Sequence, residues 1–252
     1  MRYVNLIRSI ENWWVFFLYK FRLQTEDQLL LQSRNGVVIP IPLRLLHTFK
    51  EIFLETCYVH GLNKLYQIPK NPVILDIGAN AGYFTLFAAA RFSNPRIFAY
   101  EPIPFNYQQL ERNTSLNKQI DIKSFQRAVA AEPGQATMIV EGSQCYSTTA
   151  HIARETPPGL NNDQLIEVAC TTLADILKDN QLERCDFLKL DCEGAEYEIL
   201  LKCADDCLSR ISVMAIEIHG NMDEIKIFLE TQGFQTFVTR KAFSMLWAYR
   251  KN

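Results

Sequence analysis

Asp76 and Glu101, then Lys189, Asp191, Glu193 and Glu196, then Glu217 and His219, each stand at or just past the end of a short apolar run. Carboxylates there can hold a cation, accept from hydroxyls or take a proton, and a histidine can do the last near neutral pH. Lys189 and Asp191 are two residues apart in Asp186–Asp191, and Glu217 and His219 in 211–220, so each pair shares one strand face. A charge buried in such a strand demands a partner. Three carboxylates and an ammonium at one strand end are costly unless they serve a site. A structural Lys189–Asp191 ion pair is the bland alternative.

The stretch Asp76-Ile77-Gly78-Ala79-Asn80-Ala81-Gly82 carries a second signal. It follows a β-branched run and precedes the helical 83–90, so it reads as strand, glycine turn and helix, the opening of a nucleotide-binding βαβ unit. The glycines do not follow G-x-G-x-x-G, and Asp76 beside the turn would repel a pyrophosphate. No Gly-Lys-Ser/Thr follows, which excludes a P-loop. A cationic sulfonium with an amino-acid tail suits the pattern better, so S-adenosylmethionine (SAM) is the expected ligand, against a purely structural turn. Glu101, 25 residues beyond Asp76, is placed to accept from both hydroxyls of a ribose.

Alternating strands and helices must position these groups. Strands are expected at 73–77, 96–101, 120–125, 186–191 and 211–220, with added strands at 135–141 and 166–170. Helices are expected at 104–117, with Phe105, Leu110 and Leu116 buried, at 173–178 behind a Thr171/Thr172 cap, and at 221–232 before Gly233. A strand pair at 235–239 and 244–249 closes the chain. From 43 to 65 the spacing of Leu46, Phe49, Phe53, Leu54, Cys57 and Tyr58 is helical. Two prolines keep 37–42 out of a central strand. The polar loop 142–165 and the segment 43–66 are expected to read the substrate, with Tyr146, Ser147, Thr148 and Thr149 as candidate contacts.

The totals limit the partners. A net charge of −2 provides no field for nucleic acid. Seven cysteines with no C-x-x-C pair point to scattered free thiols, a reducing cytoplasmic setting and no metal site. Trp13–Tyr19 is too short to span a bilayer, which takes about 20 residues. It is expected to be an association element, packed on the domain or on a second copy, with an interfacial membrane helix as the minority reading. The chain divides into an extension, 1–45, and a domain, 46–252.

The residues resemble the FkbM-type SAM-dependent methyltransferases. The likeness rests on Ile74–Gly82, Tyr100-Glu101-Pro102, Asn106, Asn113, Thr172–Leu177 and above all Asp186–Glu196, and it spans about residues 50–250. Cys192 and Ala174 depart from the family's usual Val/Ile and Asp. The resemblance implies an α/β fold: a class I methyltransferase (Rossmann-like) sheet of seven strands, the last antiparallel, with helices on both faces. It implies cofactor contacts at Asp76, Gly78, Asn80, Gly82, Thr85, Glu101, Pro102, Asn106, Arg127, Ala128 and Asp191. Asp191, Glu193 and His219 are the catalytic candidates, with the base among them open. The acceptor would be a hydroxyl of a small molecule, specialised metabolite or glycan; an amide or peptide nitrogen, or a non-catalytic binding role, are the alternatives.

Overall fold

The computed structural model describes residues 2–23, 26–59, 66–140, 150–152, 165–203, 205–239 and 244–250. In chain order these form α1 (Arg2–Ser9), α2 (Trp14–Lys20), β1 (Gln28–Gln32) and β2 (Val38–Pro42). A 3₁₀ turn (Leu43–Leu45), α3 (Leu46–Phe49) and a π-helical turn (Lys50–Leu54) follow. Next come β3 (Val73–Ile77), α4 (Tyr83–Arg91), β4 (Arg96–Tyr100), α5 (Pro104–Ser115), β5 (Asp121–Phe125), β6 (Ala128–Val129), β7 (Gly134–Val140) and β8 (Ala150–Ile152). The last part holds β9 (Leu165–Thr171), α6 (Leu173–Asp179), β10 (Phe187–Leu190), α7 (Glu196–Lys202), α8 (Asp205–Ser209), β11 (Val213–Glu217), α9 (Met222–Thr231), β12 (Gln235–Thr239) and β13 (Met245–Tyr249).

The central sheet has seven strands in the order β12-β13-β11-β10-β3-β4-β5. β13 is antiparallel to both neighbours, and the remaining pairs are parallel. The chain winds outward through β4 and β5 on one side of β3, and through β11 on the far side of β10. The strand order therefore reverses between β3 and β10, where an open parallel sheet forms its ligand crevice. A four-stranded sheet, β6-β9-β7-β8, and the pair β1-β2 lie outside it.

Period-two alternation divides the core into two layers. Ile74, Phe187, Ala215 and Trp247 pack on one face with Phe49, Phe53, Phe84 and Phe87. Leu75, Leu188, Met214 and Leu246 pack on the other with Ile176, Ile199, Leu208 and Leu229. Both faces of the central strands are covered, as parallel strands require. Asp76, Lys189, Asp191 and Glu217 follow the numbering of the first face, so the charges emerge on the side of α4 and the 46–58 segment.

Several expectations need correction. The helix expected over 43–65 ends its regular turns at Leu54, and Thr56 takes a left-handed φ of 54°. α5 buries Asn106, Gln109, Leu110 and Asn113, whereas Phe105 and Leu116 are exposed. The reason is hydrogen bonding: Asn113 Nδ2 donates to Ala81 O (2.7 Å) and Gln109 Nε2 to Asn113 Oδ1 (2.9 Å). β1 was not expected; Leu29 and Leu31 alternate into the core across from β2. Cys203 and Cys207 are joined as a disulfide, contrary to the expectation of free thiols alone; their Cα atoms lie 6.0 Å apart, within the reach of such a bond. No helix among the described residues is long and apolar enough to cross a membrane.

The first helices are part of the main core. Leu6, Ile10 and Phe16 are buried in the same cluster as Phe49, Phe87 and Trp247, while Trp14 and Phe21 remain exposed. Leu6→Ala is accordingly expected to lower unfolding stability by about 2–5 kcal/mol, as at an interior position. Urea denaturation measures this, and a loss near zero would show that α1 is merely appended.

Candidate active site

Lys189 lies at the centre of the crevice. Its side chain is 4% exposed, and its Nζ sits 3.2 Å from Asp191 Oδ2 and 3.6 Å from Asp76 Oδ1. It also donates to Gly78 O (2.5 Å) and Ile77 O (3.3 Å). Burial works against the ammonium, but Asp191 and Asp76 together hold its pKa above the ordinary lysine value. Gly78, at φ 73°, passes so close to the Asp191 carbonyl that a Cβ would collide with it.

One cavity opens on the Glu101 side. Gly78, Asn80, Glu101, Pro102, Asn106, Ala128, Asp191 and Glu193 line it, with Tyr100, Ile103, Val129 and Met138 supplying apolar wall. Glu101 Oε2 accepts from Asn80 N (2.8 Å) and Oε1 from Ile103 N (2.9 Å), so one carboxylate pins two turns. Burial pushes its pKa up to about 7 against those hydrogen bonds.

The turn after β10 is held by a third carboxylate. Glu193 takes a left-handed φ of 52°, a conformation costing a non-glycine residue about 1–3 kcal/mol. Glu196, 2% exposed, accepts from Cys192 N (2.9 Å) and Gly194 N (3.1 Å), clamping the backbone on either side. Glu196 Oε1 also lies 3.0 Å from His219 Nδ1, while His219 Nε2 lies 3.3 Å from Glu193 Oε2. The hydrogen bond to Glu196, working against burial, raises the His219 pKa to about 9.

A second cavity, of about 180 Å³, lies on the other side of Asp191. Thr48, Glu51, Cys57, Tyr58, Phe84, Lys189 and Glu217 line it, together with Asn80, Asp191 and Glu193, which also line the first. The buried Tyr58 places its hydroxyl 3.0 Å from Asp191 Oδ2 and 3.1 Å from Glu217 Oε2. Burial and the neighbouring Asp191 push the Glu217 pKa up to about 7. Ligand atoms of Asp191, Glu193 and His219 lie within 4.8 Å of one another, a spacing that a divalent ion could bridge. Lys189 and His219 already supply the positive charge there, so no ion is assigned.

The crevice thus brings together Gly78, Asn80, Glu101, Pro102, Asn106, Ala128, Asp191 and Glu193, with His219 beside Glu193. Asp76 and Thr85 line neither cavity: both are fully buried, and Thr85 Oγ1 donates to Asp76 Oδ2 (2.6 Å) beneath the turn. Gly82 is also behind the wall, its Hα side closed by Leu110. Arg127 is exposed and outside the lining. Tyr146, Ser147, Thr148 and Thr149 lie outside the described residues. Tyr58 and Glu51 fall in the segment 43–66 expected to read the substrate, but neither was singled out there; the helical spacing of 46–58 marked Tyr58 as core.

The family model "Methyltransferase FkbM domain" matches residues 76–245, most of the chain, from the carboxyl end of β3 onward. This chain belongs to the FkbM methyltransferase family. The chain is 29% identical over 236 residues to "Methyltransferase sdnD" of Sordaria araneosa, covering 81% of this chain and 89% of that protein. It is 26% identical over 213 residues to "31-O-demethyl-FK506 methyltransferase FkbM" of Streptomyces tacrolimicus, covering 74% and 80%. Among solved structures, the FkbM methyltransferase from Methylobacillus flagellatus KT superimposes with a TM-score of 0.51 at 15% identity, over 82% of this chain and 54% of that one. The METTL16 methyltransferase domain gives the same TM-score, 0.51, at 14% identity over 88% and 86%. These two likenesses concern the fold.

The Glu196–His219 contact in this FkbM methyltransferase has a pH signature. A histidine pKa raised by folding stabilises the native state fully below the unfolded value of about 6.5 and loses that contribution as pH rises through the folded value. Glu196→Gln should bring the His219 midpoint from about 9 back toward its ordinary value. It should also flatten the stability–pH curve across that window. Histidine proton NMR and thermal melts against pH measure the two; an unmoved midpoint would show that Glu196 does not set it.

Proposed function

We propose that this chain transfers the methyl group of SAM to a hydroxyl of a small molecule, specialised metabolite or glycan. The observation that carries the reading is the pair of cavities meeting at one wall, formed by Asn80, Asp191 and Glu193. A donor in one and an acceptor in the other would react across that wall, which is what transfer between two substrates requires.

The residues of the first cavity fit SAM by their chemistry. Ile103, Ala128, Val129 and Met138 offer apolar surface to a base, and Glu101 retains acceptor capacity for ribose hydroxyls beyond the backbone donors it already serves. Asp191 and Glu193 supply negative charge toward a sulfonium. When bound, SAM supplies a methyl group already activated for attack. The chain's own work is then to align the acceptor, exclude water and receive a proton. Hydroxyl acceptance is supported by the carboxylates facing the second cavity, because an alcohol must shed its proton as it attacks. The name of the Streptomyces relative, a methyltransferase of an O-demethyl compound, supports the same choice.

The two buried acids on the donor side should fail differently. Glu101→Gln is expected to weaken S-adenosylhomocysteine binding by about 1.5–3 kcal/mol, the worth of hydrogen bonds to a charged acceptor. Asp76→Asn, which touches Lys189 and Thr85 and lines neither cavity, should chiefly lower thermal stability. Titration calorimetry and melting on both variants separate the roles. Parental affinity in Glu101→Gln would remove the ribose assignment.

A further inference from the structure

The acceptor's proton has several candidate receivers, and their contacts eliminate all but one. His219 has both ring nitrogens against carboxylates, Glu196 at 3.0 Å and Glu193 at 3.3 Å. Both nitrogens therefore serve as donors, and the ring has no lone pair left to receive a proton. Glu193 is matched by that imidazolium. Asp191 Oδ2 is matched by Lys189 at 3.2 Å and lies within reach of Tyr58. Glu217 differs: among the described residues no cation is in ion-pair contact with it, and its Oε2 meets the Tyr58 hydroxyl at 3.1 Å.

Tyr58 is fixed from several sides. Its backbone oxygen accepts from Trp247 Nε1 (3.4 Å), its ring meets Phe84 edge-on at 5.2 Å, and Lys189 Nζ sits 5.4 Å from the ring centroid. Its single hydroxyl proton can serve Asp191 or Glu217, not both at once, and a hydroxyl rotates to suit. Asp191 already has an ammonium, so the proton is available to Glu217 while Glu217 is ionised. Once Glu217 gains a proton, the hydroxyl can turn to Asp191 and offer Glu217 its lone pair. Either state of Glu217 is therefore hydrogen-bonded.

We propose that Glu217 receives the hydroxyl proton of the acceptor in the Tyr58-lined cavity, with Tyr58 as the positioning residue that links it to Asp191. The inference rests on the methyl-transfer reading above. As the acceptor oxygen forms its bond to the methyl carbon, the carbon–sulfur bond breaks with its electron pair left on sulfur. The oxygen's proton passes to Glu217, which later releases it to solvent. Because Glu51, Asp191, Glu193 and Glu217 all line this cavity, the acceptor is a neutral or amine-bearing hydroxyl compound, with no carboxylate or phosphate beside the reacting oxygen.

The groups facing Glu217 are Asp191 and Lys189 from β10, His219 beyond its own strand, and Tyr58 and Cys57 from the segment after the π turn. On its other side β13 presents Met245, which carries no charge. Burial and Asp191 raise its pKa to about 7, while Lys189, His219 and the Tyr58 hydroxyl oppose the rise. A proton receiver poised near neutral pH is the form general-base catalysis favours.

The test is a carboxyl ¹³C NMR titration of the full chain saturated with S-adenosylhomocysteine, the Glu217 signal being assigned by its loss in Glu217→Gln. The parent should titrate at about 7, and Tyr58→Phe should move that midpoint upward, since it removes a donor and dries the site. The parent signal should also show an H₂O/D₂O isotope shift from the tyrosine hydroxyl, which needs no variant to fold. With glycerol as a bare polyol acceptor, the pH–rate midpoint should follow the same displacement, kcat falling more than KM rises. A Glu217 midpoint at the ordinary glutamate value of about 4.3, or one indifferent to Tyr58→Phe, overturns the proposal. Failure of the parent to bind S-adenosylhomocysteine would instead overturn the methyl-transfer reading, so the two are told apart on one sample.

Discussion

The buried ammonium of Lys189 is the contact on which the crevice depends. It sits between the ends of β3 and β10, the two strands at which the sheet reverses, and touches a carboxylate and a carbonyl from the first and a carboxylate from the second. Taking such a charge out of water is expensive, and losing one partner would leave the others uncompensated. The same ion therefore ties the glycine turn to the β10 end and holds Asp191 Oδ2, 3.2 Å away, at the wall between the cavities. The Lys189–Asp191 ion pair, set from the sequence against a site role, is present, and both of its residues line the second cavity.

Around that ion the charges are confined by geometry. Strand alternation sends Asp76, Lys189, Asp191 and Glu217 toward one layer, where Phe84, Phe49 and Phe53 exclude water below them. Glu196 folds the 192–194 turn back on itself and holds His219 against Glu193. Glu101 does the equivalent service for the turns after β3 and β4. Each of these acids is buried and is first a backbone clamp; the turns and neighbours they hold in place shape what a ligand would meet. Strain at Glu193 is tolerated because Glu196 satisfies the amides around it.

Much of this was legible in the sequence, for physical reasons that also mark where it stopped. The glycine turn and the acid-ended strands follow from local patterns, since a buried strand must be apolar and a charge inside it stands out; the seven-stranded sheet with its antiparallel last strand was implied only by the family resemblance. α5 was misjudged because burial was inferred from apolarity, whereas its inward face is made of amides that bond the glycine turn: Asn113 reaches Ala81, 32 residues away in sequence. Tyr58 could be placed in the core and in a segment expected to meet the substrate, but not against Asp191. The periodicity of 46–58 is helical, and nothing in it announces a π turn and a left-handed Thr56 that redirect the chain toward Asp191, 133 residues on from Tyr58. The Cys203–Cys207 bond likewise depends on a Cα separation of 6.0 Å that the cysteine spacing alone does not announce.

Charge balance gives the arrangement a direction. Around the wall stand Asp191, Glu193, Glu196 and Glu217, against Lys189 and His219, so the acids outnumber the resident cations. A neutral ligand would leave that excess to be relieved by protonation, as the raised pKa values of Glu193 and Glu217, driven first by burial, indicate. A cationic donor relieves it directly and is favoured on entry. On the methyl-transfer reading the donor's charge disappears in the reaction while a proton appears on a carboxylate beside it. The total charge of the crevice is then unchanged through the chemical step, but it has moved from the donor to the protein. On that reading the site returns to its starting state only when that proton leaves for solvent.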